Sequence, residues 1–140
     1  MRMCKVIETT MPAQLEKWDD ASAFLSQELE KIDCPMKAQT QLLIAAEEIF
    51  VNVCHYAYPS GECGIVRLRL CLRSDALELS ILDSGTPYNP LDKPDPNIHL
   101  SASERIPGGL GIYMTKKLMD KLDYRYEDGQ NILTMHKYWS

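Results

Sequence analysis

The chain has 140 residues, of which 45% are hydrophobic and 25% are charged, and its formal net charge is −5 at pH 7. This composition argues against disorder and predicts a single domain over residues 1–140 with one hydrophobic core. The acidic balance argues against nucleic acid as a partner, since phosphate backbones are bound by surfaces rich in Lys and Arg.

Membrane, secretion and disulfide signals are weak. No apolar stretch approaches the ~20 residues of a membrane-spanning helix, and no apolar signal-peptide core follows Met1, so we expect a cytoplasmic protein. The odd number of cysteines and the lack of a C-x-x-C pair argue against a disulfide or zinc scaffold. We therefore expect small core or surface thiols at Cys4, Cys34, Cys54, Cys63 and Cys71.

The first part of the chain predicts a strand followed by two helices. A strand is expected over residues 3–9, and apolar residues at steps of three to five predict a helix over residues 11–31, with Pro12 in its first turn. A second helix is predicted over residues 36–58, because a sustained apolar stripe runs along it as far as Pro59.

Two strands and a long irregular segment follow. Alternating apolar residues and arginines over residues 65–72 are typical of a half-buried strand, and residues 77–83 predict its partner. Periodicity then disappears over residues 84–107, which contain five prolines. Because a loop of more than ~15 residues in a compact domain is usually functional or disordered, we interpret this segment as a lid.

Glycines open the last predicted helix, which is expected over residues 109–122. Its inner side is expected to carry Met114, Leu118 and Leu122. The glycine-rich residues 108–111 expose backbone N–H groups at the positive end of the helix dipole, an arrangement that favours phosphate. Because glycine is a poor helix former, close approach of a ligand or a hinge for the lid is needed to explain this cluster.

The chain is predicted to close with a β-hairpin. Strands are expected over residues 123–127 and 131–139. Asp128 and Gly129 between them favour a primed turn. The order β-α-α-β-β-lid-α-β-β predicts an α+β fold, a two-layer sandwich with helices on one face of a mostly antiparallel sheet.

An acid and an amide lie together on the second predicted helix. Glu48 and Asn52 are offset by only about 40° around the helix, whereas Glu47 points elsewhere. Magnesium prefers hard oxygen ligands such as an amide oxygen, and a nearby carboxylate can accept a proton from an attacking hydroxyl. Glu48 is therefore a candidate general base, while an ordinary amphipathic helix with polar flanks remains the alternative interpretation.

A second acid lies at the end of a predicted strand. Asp83 has the parity of Leu79 and Ile81, so it is expected to face the helices. Such a carboxylate is costly to bury unless a donor such as an adenine amino group pairs with it. Gly85 would let the backbone approach a flat ring, although an Asx-turn at a strand end is the alternative interpretation.

These segments, in this order, resemble the N, G1 and G2 boxes of the GHKL ATPase superfamily. The closer resemblance is to the RsbW/SpoIIAB-like family of bacterial anti-sigma-factor serine/threonine kinases. It covers nearly the whole chain and is carried by residues 48–58, 83–91, 108–120 and 131–135. One departure is Pro87, which stands where the wider superfamily has the second glycine of D-x-G-x-G.

The resemblance implies roles for individual residues. Asn52 would ligate Mg²⁺, Glu48 would act as the base, Asp83 would hold the adenine amino group and Gly85 would pass beside the ring. The phosphates would be bound by the N–H groups of Gly109, Leu110 and Gly111.

The resemblance also implies roles for the last strand and for the long irregular segment. Thr134 on the last strand would hydrogen-bond near Asp83 and the adenine. Residues 90–107 would cover bound ATP, and Arg105 or Lys93 would reach the γ-phosphate from there.

The function that the resemblance implies is a kinase and a switch in transcription regulation. The protein would use ATP and Mg²⁺ to phosphorylate a Ser or Thr of a STAS-type antagonist, and would sequester a sigma factor, as a homodimer. A nucleotide-binding module that sequesters a partner without phosphoryl transfer is the alternative. A split histidine kinase is disfavoured, since no helical hairpin with a phosphoacceptor His precedes the domain.

Overall fold

The computed structural model describes residues 4–59, 62–92 and 109–139, and only the backbone of residues 109 and 110. Its strands are β1 (Lys5–Pro12), β2 (Ile65–Leu72), β3 (Ala76–Asp83), β4 (Lys121–Glu127) and β5 (Gln130–Tyr138). Its helices are α1 (Trp18–Lys31), α2 (Met36–Tyr56) and α3 (Gly109–Leu118), with short 3-10 turns at Leu15–Lys17 and Pro90–Asp92.

The five strands form one sheet in the order β1-β2-β3-β5-β4, and every neighbouring pair is antiparallel. Leu68, Ile81 and Leu133 are aligned across the central strands, and all three belong to the buried core. Leu42 and Phe50 of α2 belong to the same core cluster, so the helices cover this face of the sheet. The predicted two-layer α+β fold and the order of its elements are confirmed.

The prediction that the first helix begins at residue 11 is wrong. Met11 and Pro12 are the last residues of β1, where they pair with Val66 and Ile65. The ladder continues beyond them, because Ala13 N donates to Gly64 O at 2.9 Å. Proline is tolerated here since β1 is an edge strand, where a missing N–H leaves no buried partner unpaired.

The predicted inner side of the third helix is confirmed only for Leu118, which is partly buried against the core. The helix ends at Leu118, and Leu122 belongs to β4. Ile112 and Thr115 are buried, whereas Met114 is 43% exposed. The packing of α3 against α2 therefore buries the side of the helix that carries Ile112 and Thr115, and it leaves Met114 exposed.

The structure places Cys4 beside Cys71, with their Cα atoms 5.6 Å apart. The pairing of β1 with β2 brings the two residues together, a tertiary contact that counting cysteines does not reveal. Cys34, Cys54 and Cys63 are free, as expected. Burial raises the pKa of both Cys34 and Cys54 to about 11.

Among the described residues, none of the helices has both the length and the apolar character that crossing a bilayer requires. The lid segment is described only as far as Asp92, and its expected continuation over residues 93–107 lies outside the described residues.

Candidate functional site

A hollow of about 380 Å³, part of it open to solvent, lies between α2 and the neighbouring ends of β3 and β5. Its walls are largely apolar and aromatic, whereas its polar groups are few and buried. The polar groups are Asn52, Asp83 and Asn131. Apolar walls with a few well-placed polar groups are typical of a small-molecule site. The walls include Ile49, Val53, Ile81, Tyr88, Tyr124 and Leu133.

Asp83 is the buried carboxylate of this hollow and is only 6% exposed. It ends β3 on the face that the helices cover, as strand parity predicted. Its Oδ1 accepts hydrogen bonds from Gly85 N and Asn131 Nδ2, each at 2.9 Å. Burial raises the pKa of Asp83, and these two hydrogen bonds oppose that rise. Among the described residues Oδ2 accepts no hydrogen bond, so it is available to a ligand.

The bond from Gly85 N to Asp83 Oδ1 has the two-residue spacing of an Asx-turn. The turn that we considered as an alternative therefore exists, and the same carboxylate also lines the hollow. One oxygen of Asp83 organises the backbone, which leaves the second oxygen for recognition.

Gly85 allows the turn after β3 to press against the end of α2. A Cβ at this position would overlap with the carbonyl of Ala57, and Thr86 N donates to Ala57 O at 2.7 Å. The described contacts explain this glycine by close packing of protein backbone, and its place beside a flat ring stays a prediction.

Tyr58 reinforces the same junction. Its hydroxyl accepts a hydrogen bond from Ser84 N at 2.9 Å and donates one to Ile65 O at 2.6 Å. The end of α2, the start of β2 and the turn after β3 are thus held together. This junction fixes Asp83 relative to the polar residues of α2.

Asn52 is buried on α2 and lines the hollow together with Asp83. Its Nδ2 donates to Glu48 O at 2.9 Å, one turn earlier in the helix. Among the described residues Oδ1 of Asn52 has no donor, so this amide oxygen is available to a cation. The described residues contain no group of three His, Cys, Asp or Glu side chains able to hold a metal. An amide oxygen completed by phosphate oxygens and water is the donor set that suits Mg²⁺ here.

Glu48 is half-buried and does not line the hollow itself. Its carboxylate lies against Gly111 in the first turn of α3, where a Cβ would overlap with Glu48 Oε2. Glu47 is exposed, in agreement with the prediction that the two glutamates differ. The acid thus meets the glycine-rich start of α3, where the first N–H groups of a helix lack intrahelical partners.

The structure brings Asn131, and not Thr134, to Asp83. Asn131 is the cross-strand partner of Asp83 in the β3–β5 ladder. Thr134 lies on the opposite face of the sheet, where its Oγ1 is 2.8 Å from Ser80 Oγ. The expectation that Thr134 hydrogen-bonds near Asp83 is therefore wrong, because three residues along a strand reverse the face.

Sequence reasoning missed Asn131 and the two tyrosines of the hollow, Tyr88 and Tyr124. Asn131 has the parity of Leu133 and Met135, so alternation along β5 places it on the core side. A polar residue in that apolar series was the available signal.

Four of the residues expected at the phosphates are described only in part or not at all. Gly109 and Leu110 begin α3, with their backbone described. Arg105 and Lys93 lie outside the described residues.

Comparison with known proteins gives a family match over most of the chain. The family model described as a histidine kinase-like ATPase domain matches residues 11–137. The serine/threonine-protein kinase BtrW of Bordetella bronchiseptica is 30% identical over 94 residues, which cover 67% of this chain and 66% of that protein. The serine-protein kinase RsbW of Bacillus subtilis is 28% identical over 144 residues, which cover 94% of this chain and 84% of that protein.

A solved structure shows the same fold. It is that of the RsbU and RsbW domains of Rv1364c from Mycobacterium tuberculosis, with a TM-score of 0.69 at 14% sequence identity. The match covers 96% of this chain and 32% of that chain.

Proposed function

Because the chain belongs to the histidine kinase-like ATPase domain family, we propose that it binds ATP in the hollow and is a serine/threonine protein kinase. The observation that carries this proposal is the convergence of Asn52 and Asp83, which are 31 residues apart in sequence, on one hollow. The names of the relatives BtrW and RsbW support the kinase activity.

The adenine would occupy the apolar part of the hollow. Ile49 and Leu133 offer flat apolar contact, and Asp83 Oδ2 would accept a hydrogen bond from the 6-amino group. This contact would satisfy the buried carboxylate, whose other oxygen the protein already satisfies. A nucleobase with a hydrogen-bond acceptor in place of the amino group would be repelled by the carboxylate.

The triphosphate would run from the hollow towards the start of α3. Asn52 Oδ1 would hold Mg²⁺, which supplies charge neutralisation to the phosphates when it is bound. The N–H groups of residues 109–111 would bind phosphate oxygens at the positive end of α3. Glu48, whose carboxylate lies against Gly111 in the first turn of α3, would act on the nucleophile.

The proposed chemistry is in-line transfer of the γ-phosphoryl group to a hydroxyl of a partner protein. The hydroxyl oxygen forms a bond to the γ-phosphorus, while the bond between that phosphorus and the bridging oxygen of ADP breaks. Glu48 accepts the hydroxyl proton. Such a reaction depends mainly on positioning and on neutralising charge.

The proposed partners rest on the resemblance to anti-sigma-factor kinases, and the RsbW relatives are named serine-protein kinases. We propose a STAS-type antagonist as the phosphoacceptor and a sigma factor as the sequestered partner. The protein would act in the cytoplasm as a homodimer that regulates transcription. Light scattering of the purified protein, alone and with each candidate partner, tests the dimer and both complexes.

One experiment tests the enzymatic part of the proposal. The protein is incubated with γ-labelled ATP, Mg²⁺ and a candidate antagonist, and label on the antagonist is measured, with calorimetric titration of ATP in parallel. Binding and transfer support the kinase. Binding without transfer would instead identify a module that uses the nucleotide to control sequestration, and no binding would overturn the proposed site.

A further inference from the structure

Asn131 is the most completely engaged side chain of the hollow and is 6% exposed. Its Nδ2 donates to Asp83 Oδ1 at 2.9 Å and to Thr86 O at 3.0 Å. Its Oδ1 accepts from Tyr88 N at 3.0 Å and from the Tyr124 hydroxyl. A side-chain amide can donate twice and accept twice, so its hydrogen-bonding capacity is used entirely by the protein. Asn131 is therefore not free to contact a ligand directly.

These bonds determine how Asp83 is presented. Asn131 and Gly85 both donate to Oδ1, which fixes the rotation of the carboxylate and leaves Oδ2 unpaired among the described residues. Without the amide, the carboxylate would keep only the bond from Gly85 N. The direction of the free oxygen would then no longer be defined.

The same amide also holds the first residues of the lid segment. Thr86 O and Tyr88 N, from the backbone that leaves β3, bond to the two ends of the Asn131 amide. The hydroxyl of Tyr124 on β4 supports the amide from the other side. The backbone of the lid's start and the carboxylate of Asp83 are thereby oriented by one side chain.

We infer that Asn131 is a positioning residue for base selectivity, which presents Asp83 Oδ2 to the amino group of the ligand and ties that carboxylate to the backbone of Thr86 and Tyr88. This inference rests on the proposed nucleotide site. It adds the residue that sets how sharply a 6-aminopurine is distinguished from other purines.

The test compares two ligands on matched variants. Dissociation constants are measured for ATP and for purine riboside triphosphate, which lacks the 6-amino group, with wild type, Asn131→Ala and Ser80→Ala. Ser80 lies three residues before Asp83, and among the described residues its hydroxyl bonds only to Thr134 on the opposite face, so it is the control. Removing a hydrogen bond to a charged group predicts that Asn131→Ala lowers the preference for ATP by about tenfold. Ser80→Ala is expected to keep the preference of the wild type.

The outcomes separate the inference from the proposed function. If the wild type binds neither nucleotide, the proposed site itself fails and the inference fails with it. If the wild type prefers ATP and Asn131→Ala keeps that preference, the nucleotide site stands and the inference is overturned. A loss of affinity that is equal for both ligands also overturns it, because that result reports only damaged structure.

A milder variant covers the case in which Asn131→Ala does not fold. Tyr124→Phe removes one hydroxyl that donates to Asn131 Oδ1 and leaves the aromatic ring in the wall. We expect it to lower the preference for ATP by about threefold, the effect of one neutral hydrogen bond. An unchanged preference in a folded Tyr124→Phe protein would count against the inference.

Discussion

The carboxylate of Glu48 lies against Gly111, so close that a methyl group on Gly111 would overlap with Glu48 Oε2. Two helices distant in sequence are thereby in contact through an acid and a glycine. The proposed base and the proposed phosphate-binding turn therefore depend on each other for their positions.

Gly111→Ala is expected to lower activity with little change in stability. The end of the Glu48 side chain can rotate away, and alanine gains up to about 1 kcal/mol of helix propensity, so the free energy of unfolding should change little. Phosphoryl transfer should nevertheless fall by about tenfold or more, because the carboxylate is displaced. Thermal unfolding and transfer assays measure the two effects. Met114→Ala, an exposed change on the same helix, is the control.

Glu48→Gln removes the proposed general base while keeping the shape of the side chain. Transfer of label to the antagonist should fall by roughly 10²–10⁴-fold, and ATP affinity should change little. Glu47→Gln, at the exposed neighbouring position, should leave transfer unchanged. Transfer at the wild-type rate by Glu48→Gln would eliminate Glu48 as the base.

Asn52→Ala removes the amide oxygen that is available to a cation. ATP binding by the wild type should strengthen when Mg²⁺ is added, and the variant should lose that gain while it keeps its Mg²⁺-free affinity. Calorimetric titration with and without Mg²⁺ measures both. Gln41→Ala changes an amide on the same helix that lies beside Trp139 and away from the hollow, and it should keep the gain.

The raised pKa of Asp83 predicts the pH dependence of base selectivity. Its carboxyl favours the protonated form in the folded protein, so its contribution to stability is greatest at low pH and is lost as the pH rises through the raised pKa. Ligand recognition depends on pH in the opposite direction, because only the ionised carboxylate accepts a full hydrogen bond from the amino group. The preference for ATP over the analogue without that group should therefore fall as the pH is lowered through the raised pKa.

The appropriate measurement is the ratio of the dissociation constants of ATP and of the analogue, since titration of the phosphates affects both ligands equally. Asp83→Asn should show a weak preference that does not vary over the same pH range. A wild-type preference that stays constant down to the ordinary pKa of an aspartate would contradict the assignment of Asp83.

Local patterns predicted much of the fold and part of the site. The alternation over residues 77–83 predicted the face of Asp83, and helical geometry predicted that Glu47 and Glu48 differ. These features depend on periods of two and 3.6 residues, which are visible in a short window.

Features that depend on contacts between distant elements were missed or wrong. Asn131 meets Asp83 through the register of β3 with β5, and the buried side of α3 is set by its packing on α2. Pro12 ends a strand because its neighbour pairs with Gly64, although its local pattern also suits a first helical turn. In each of these cases, contacts with a distant element determined the structure, although local sequence preference indicated otherwise.

The Tyr58 hydroxyl and the Ala57 carbonyl join the end of α2 to Ser84 and Thr86 by short hydrogen bonds. These bonds brace the wall of the hollow at the end where the base would lie in the proposed binding mode, whether a diphosphate or a triphosphate is bound. In that binding mode the difference of one phosphate would be sensed at the other end, at the start of α3. A partner protein that distinguishes the two nucleotide states would therefore read the surface around α3.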